Sequence, residues 1–282
     1  MTICEPVKFG ISTVVPLSTI TSTPSPVTDL EWIKDEWRAN TVKYINPNET
    51  IVMEGILESA EIGEYFALPG SNLVGLSQIK LELFTAVDSE VDVLNMPLTQ
   101  LAHLTPLGRW RAGIDKFGVP RESDTPAVFV YWFPKALAFI KWRLTIVHTG
   151  DALAIAVDVR LRMLMLGRKL QLSESFDYGS VLSQMTAPQL LITASGSNVP
   201  SGRQVKSRKL QITLSNMSEN DFMALAVMEE NLAGSPFIFS AFPGSSIQRF
   251  NKYSFLARFA TALDYEHAQG DVFSSTLTII EV

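Results

Sequence analysis

The chain has 282 residues, 46% of them hydrophobic and 18% charged, with a formal net charge of −6 and a sequence pI of about 5.2. This balance excludes dominant disorder and argues against a polyphosphate-binding surface, so nucleic acid is not an expected partner. A single cysteine, Cys4, excludes an internal disulfide framework and a cysteine-based zinc cluster.

Residues 1–49 read as an extended N-terminal arm carrying a short helix. Pro24 and Pro26 sit in a Ser/Thr-rich stretch, where proline forbids a helix interior and removes ladder donors. Thr28-Asp29-Leu30-Glu31 then forms a capping-box pattern, and Leu30, Ile33 and Trp37 fall on one helical face, which predicts a helix ending near Asn40. No basic-then-apolar leader pattern opens the chain.

Residues 50–175 follow a period of two, the spacing of side chains on one face of a strand. Ile79, Leu81 and Leu83 show it, as do Trp142, Leu144 and Ile146. The longest run is Leu153, Ile155, Val157, Val159, Leu161, Met163 and Met165, with Asp158, Arg160 and Arg162 on the opposite face. Turn-forming segments separate these runs: Gly70-Ser71-Asn72, Asp88–Asp92, Pro106-Leu107-Gly108 and His148–Asp151. Short strands without intervening helices predict a mainly β fold, an antiparallel β-sandwich of jelly-roll type.

Residues 176–282 predict a smaller α+β domain. A Gly/Ser/Pro-rich loop spans Ser195–Gly202, and a strand carries Leu210, Ile212 and Leu214. The clearest helix lies at residues 218–233, with Ser218 as cap, Asp221 completing a capping box, Phe222, Leu225 and Leu232 as the apolar stripe, and Gly234 as the stop. Strands follow near Phe237–Phe242, Tyr253–Asp264 and Val272–Val282. The longest apolar stretches, Ala127–Phe133 and Phe222–Met228, fall well short of the roughly 20 residues of a spanning helix, so no membrane insertion is expected.

Catalytic signatures are missing from the sequence. It contains no phosphate-binding loop, dinucleotide fingerprint, His-Glu-x-x-His or Gly-x-Ser-x-Gly. His103, His148 and His267 are too far apart to share a metal by local spacing. The acidic pairs Glu54 with Glu58 and Glu61 with Glu64, and the group Asp88, Glu90 and Asp92, are candidates for glycosidase-type carboxylates, and the last group falls in a predicted turn where it reads as a solvated loop. Trp110, Tyr131, Trp132, Phe133, Phe139 and Trp142 read chiefly as core, although exposed aromatic faces serve as sugar platforms. Trp110 and Arg111, with Arg160 and Arg162, form the possible interface or ligand surface, because arginine beside aromatics is enriched at protein contacts. No enzyme activity, cofactor or metal is expected.

Several landmarks in order carry a family resemblance. They are Leu68-Pro69-Gly70-Ser71-Asn72-Leu73, Trp110-Arg111, Lys141-Trp142-Arg143-Leu144-Thr145-Ile146 and Leu164-Met165-Leu166-Gly167-Arg168, followed by the Ser218-capped helix, Gly234-Ser235-Pro236-Phe237 and the final strand Ser275–Val282. Together they resemble structural proteins of long-tailed bacteriophages that contain a discoidin or galactose-binding jelly-roll and a closing tail-type domain. The resemblance implies a virion component of the tail tip, distal tail or baseplate, assembled in the host cytoplasm. It further implies a homo-oligomer that docks other tail proteins, with binding of a host surface glycan as the alternative.

Overall fold

A computed structural model describes residues 6–34, 41–44, 50–71, 73, 77–88, 92–96, 99–100, 127–148, 159–173, 177, 181–186, 189–192, 198–201, 206–232, 234–243, 253–269 and 272–282. In chain order the strands of the N-terminal part are β1 (Lys8–Gly10), β2 (Ser18–Thr23), β3 (Val42–Tyr44), β4 (Ile51–Ser71), β5 (Ser77–Phe84), β6 (Asp92–Asn95), β7 (Thr99–Gln100), β8 (Ala127–His148), β9 (Val159–Leu161) and β10 (Met165–Gly167). Beyond them come β11 (Lys169–Gln171), β12 (Val181–Thr186), β13 (Gln189–Ile192), β14 (Asn198–Ser201), β15 (Lys206–Met217), α1 (Glu219–Leu232), β16 (Phe237–Ser240), β17 (Ser254–Phe259), β18 (Asp264–Gln269) and β19 (Val272–Glu281). The fold is mainly antiparallel β, as the period-two patterning predicts.

One sheet runs β10-β4-β8-β5-β6, with β2 also on β4 and β7 also on β5. Its axis is the pairing of the two longest strands, β4 and β8, in which Gly55 stands opposite Trp142 and Phe66 opposite Tyr131. The inward face is apolar: Ile51, Met53, Phe66, Leu68, Ile79, Leu81, Leu83, Trp142, Leu144 and Ile146 are buried together. A small sheet of β3 and β9 contributes Val42, Tyr44, Val159 and Leu161 to the same core.

The second sheet runs β11-β1-β16-β17-β19-β15-β12, with β18 on β19. Its core gathers Phe9, Leu210, Ile212, Leu214, Phe237, Phe239, Phe255, Leu277 and Ile279 beneath α1, whose Leu225, Met228 and Leu232 face it. The helix starts where expected. The Asp221 amide donates to Ser218 Oγ at 3.2 Å, while Ser218 Oγ donates to the Asp221 carboxylate at 3.0 Å, a reciprocal cap. It stops at Gly234, whose φ of +90° favours glycine.

β16 and the first four residues of β17 are buried at every position. Alternate side chains explain this. Phe237, Phe239 and Phe255 enter the second core, whereas Ile238 and Leu256 point the other way and join Tyr65, Ala67, Val128 and Met165 of the first sheet, with Met163 from the connection between β9 and β10. The two cores are thus fused back to back by a third apolar cluster.

Three local readings differ from the sequence pattern. The helix expected after Thr28 is a 3-10 turn at Leu30–Lys34, and residues 35–40 lie outside the described residues. Of the run expected as one strand from Leu153 through Met165, residues 153–158 lie outside the described residues, and the rest is split between β9 and β10, where the Leu164 amide donates to the Ile33 carbonyl at 3.3 Å. In the expected loop at 195–202, Asn198–Ser201 pairs with Gln189–Ile192.

Within the N-terminal arm, β1 does not stay free. It sits between β11 and β16 with Phe9 fully buried against Phe237 and Phe239, at ring separations of 6.0 and 5.5 Å. Ten residues on, β2 pairs with β4. The arm therefore crosses from one core to the other.

Candidate interaction surface

Of the four residues singled out as a surface, Trp110 and Arg111 lie outside the described residues, as do Glu90 and His103. Arg160 is exposed in the middle of β9, with buried Val159 and Leu161 on either side. Its register partner on β3 is Lys43, between buried Val42 and Tyr44. Arg162, two residues on from Arg160, is half-buried with its methylene chain lying over Gly70 at the end of β4. Strand alternation thus puts Lys43, Arg160 and Arg162 on the outer face of a ribbon whose inner face is core.

Most of the aromatic group is interior. Phe133, Phe139 and Trp142 are fully buried. Tyr131 and Trp132 are half-buried, with Tyr131 packed on Phe133 at 5.8 Å and Trp132 on Tyr65 at 5.6 Å. Packing occupies the rings, while Nε1 of Trp132 and of Trp142 is buried with no hydrogen-bond partner among the described residues.

The acidic candidates separate by environment. Glu54 accepts from Arg143 Nε at 2.5 Å and lies 3.5 Å from Lys141 Nζ. Partial burial pushes its carboxyl up, but the hydrogen bond and charge of Arg143, with Lys141, outweigh this and hold it below the usual range. Glu58 is exposed, and Glu64 accepts from the Lys169 amide at 3.2 Å. Asp88 is exposed at the end of β5, and Asp92 opens β6 opposite Phe84. Among the described residues, no three His, Cys, Asp or Glu side chains are arranged to hold a metal ion. His267 is exposed on β18 with its ring 5.0 Å from Phe273.

Three polar groupings escaped the sequence reading. Arg208 and Glu281 form a buried pair: Nε donates to Oε2 at 2.9 Å, Nη2 to Oε1 at 2.5 Å, and the guanidinium lies 4.7 Å from the Phe255 ring centroid. A usable signal was present, since Arg208 shares the buried face of Leu210, Ile212 and Leu214, and Glu281 that of Leu277 and Ile279. Asp221 also accepts from the Ser173 amide and hydroxyl, tying the exit of β11 to the helix cap. Glu229 of α1 accepts from the Leu263 amide at 2.8 Å and from the Tyr265 hydroxyl at 3.3 Å. Burial, reinforced by the negative charge of Glu229, pushes the Tyr265 hydroxyl well above its usual range.

No protein-family model and no curated protein matches the chain. Solved structures show partial likenesses. A chitosan-binding module of a chitosanase/glucanase from Paenibacillus sp. IK-5 is 9% identical over 55% of this chain and 97% of its own, with a TM-score of 0.36. The family 32 carbohydrate-binding module of Streptococcus pneumoniae EndoD is 12% identical over 55% of this chain and 98% of its own, with a TM-score of 0.35. The tail of an empty gene transfer agent particle is 10% identical over 41% of this chain and 83% of its own, with a TM-score of 0.28. Carbohydrate-binding modules are named more often than tail particles, and likeness at this level decides between neither.

Proposed function

We propose that this chain is a non-catalytic structural protein of a phage-type tail, at its tip or baseplate, that works by contact with copies of itself and with other tail proteins. The observation that carries the reading is the use the fold makes of its polar side chains. Arg208 and Glu281 neutralise each other inside the second core, Asp221 holds the Ser173 and Ser218 hydroxyls, Glu229 locks β18 to α1, and Glu54 is bound by Arg143. A catalytic site needs convergent groups left available to a substrate. Among the described residues these groups join strand to strand and helix to strand, and the third apolar cluster with the N-terminal crossing strand ties the two cores together. Such an arrangement suits repeated contacts better than turnover.

The order of tail-protein landmarks also supports the reading, and the first sheet carries parts of three of them. Leu68 lies on β4, Lys141–Ile146 on β8 and Leu166-Gly167 on β10, and β4 pairs with both of the others. Immunogold labelling of tailed particles with antibody against the purified chain tests the proposal. Label confined to the tail end is expected, and particles without label would overturn it. The second reading, a module contacting bacterial surface glycans, would replace it if the chain bound a defined glycan on an array and was missing from particles.

A further inference from the structure

The edge strand of a sheet leaves a row of backbone donors and acceptors open to another strand, and proteins guard such edges by covering, shortening or charging them. β10 is covered by the chain that precedes β2: the Val14 amide donates to the Leu166 carbonyl at 2.7 Å, and the Leu166 amide donates to Thr13 Oγ1 at 3.2 Å. β11 spans only three residues. β18 carries exposed Asp264 and Glu266, charges that deter an added strand.

β2 has none of these guards. It pairs with β4 on one side, and among the described residues no hydrogen bond reaches the backbone of residues 19–23 from the other. In an antiparallel ladder every second residue of an edge strand directs its N–H and C=O outward. The strand holds no charge, glycine or proline, and residues 11–28 contain no charged side chain at all. Ser18 and Ile20 are buried and Ser22 meets the Tyr44 hydroxyl at 2.7 Å, whereas Thr19, Thr21 and Thr23, on the opposite face, are exposed. Across the ladder Thr19 stands opposite the partly exposed Ile56, and Thr21 opposite Glu54, whose carboxylate is already held by Arg143 and Lys141. Leu17 at 62% and Val27 at 63%, the most exposed large apolar side chains among the described residues, lie just before the strand and just beyond it.

Resting on the assembly reading, we propose that β2 is a dimer edge, on which β2 of a second copy of this chain adds antiparallel about a two-fold axis. Three features select a copy as the occupant. A two-fold axis normal to the sheet preserves side-chain parity, so in every register the outer threonines of one strand stand opposite threonines of the other, a favourable cross-strand pair. The antiparallel sense carries Leu17 of each copy toward the Val27 end of its partner, so both exposed apolar side chains gain a neighbour twice over. With a net charge of −6 two copies repel at long range, and a charge-free edge lets them meet without a like-charge contact. The contact is isologous and closes on itself, so it supplies one pairing step and leaves larger assembly to other surfaces.

Charge placed near the axis tests the pairing. Thr21→Lys and Thr21→Glu, at an exposed position, should each weaken self-association at least about tenfold at low salt in sedimentation velocity, and an equimolar mixture of the two should recover it. Thr19→Lys gives the same readout if Thr21→Lys loses the native circular dichroism spectrum. Amide hydrogen exchange of the wild-type chain should show β2 amides slowing as concentration rises. Self-association indifferent to these charges, no recovery in the mixture, or β2 amides that exchange equally fast at every concentration would overturn this edge alone. A wild-type chain that never self-associates would overturn the assembly reading as well.

Discussion

Gly55 shows how a single residue decides whether the first core closes. A Cβ built there would come within 2.2 to 2.4 Å of the Trp142 indole, which fills the space directly opposite on β8. Gly55→Ala should cost about 1–3 kcal/mol as the indole is forced aside, read as a lower denaturant midpoint at unchanged slope. Neighbouring Glu54 makes a pH prediction. Its folded pKa is depressed, so its contribution is complete above the ordinary carboxylate value of 4.5 and is lost as pH falls through the folded value. Glu54→Gln should flatten the fall in unfolding midpoint below pH 4.5 and leave the neutral-pH dependence unchanged. The effect is small, because much of the side chain meets water. Burial of Trp142 was legible from its alternation with Leu144 and Ile146, whereas the partnership with Gly55 was not, since pairing register is a tertiary property.

Regular strands and the capped helix were readable from local pattern alone, because period two and the Ser218–Asp221 box are local signals. Elements whose pairing is remote were not. β1 has only three residues and gains its place from Phe9 meeting Phe237 and Phe239, more than 220 positions away in sequence. The β9–β10 break depends on a hydrogen bond from Leu164 to Ile33 that no strand pattern contains. Between β15 and β19, the Arg208–Glu281 pair offers a clean test of element-level stability. Removing one partner, as in Glu281→Leu, should cost about 3–5 kcal/mol because the buried Arg208 loses its carboxylate. The double change Arg208→Met with Glu281→Leu should recover most of that loss in thermal unfolding.

At the scale of the whole molecule, the mainly β class was legible, while the back-to-back fusion of two apolar clusters through Ile238 and Leu256 was not. Those residues sit in strands that read as continuous apolar runs, and the run does not say which neighbour covers the second face. Of the expected surface, Arg160 and Arg162 fall together because they share strand parity, and Lys43 joins them only through the register of β3 with β9. In the proposed function the joined cores are a scaffold gripped by copies and partners. The most direct check is the particle mass of the purified full chain by sedimentation velocity across a wide concentration range. A species at a multiple of 31.2 kDa whose population grows with concentration is expected. A lone 31.2 kDa particle at every concentration and ionic strength would contradict it.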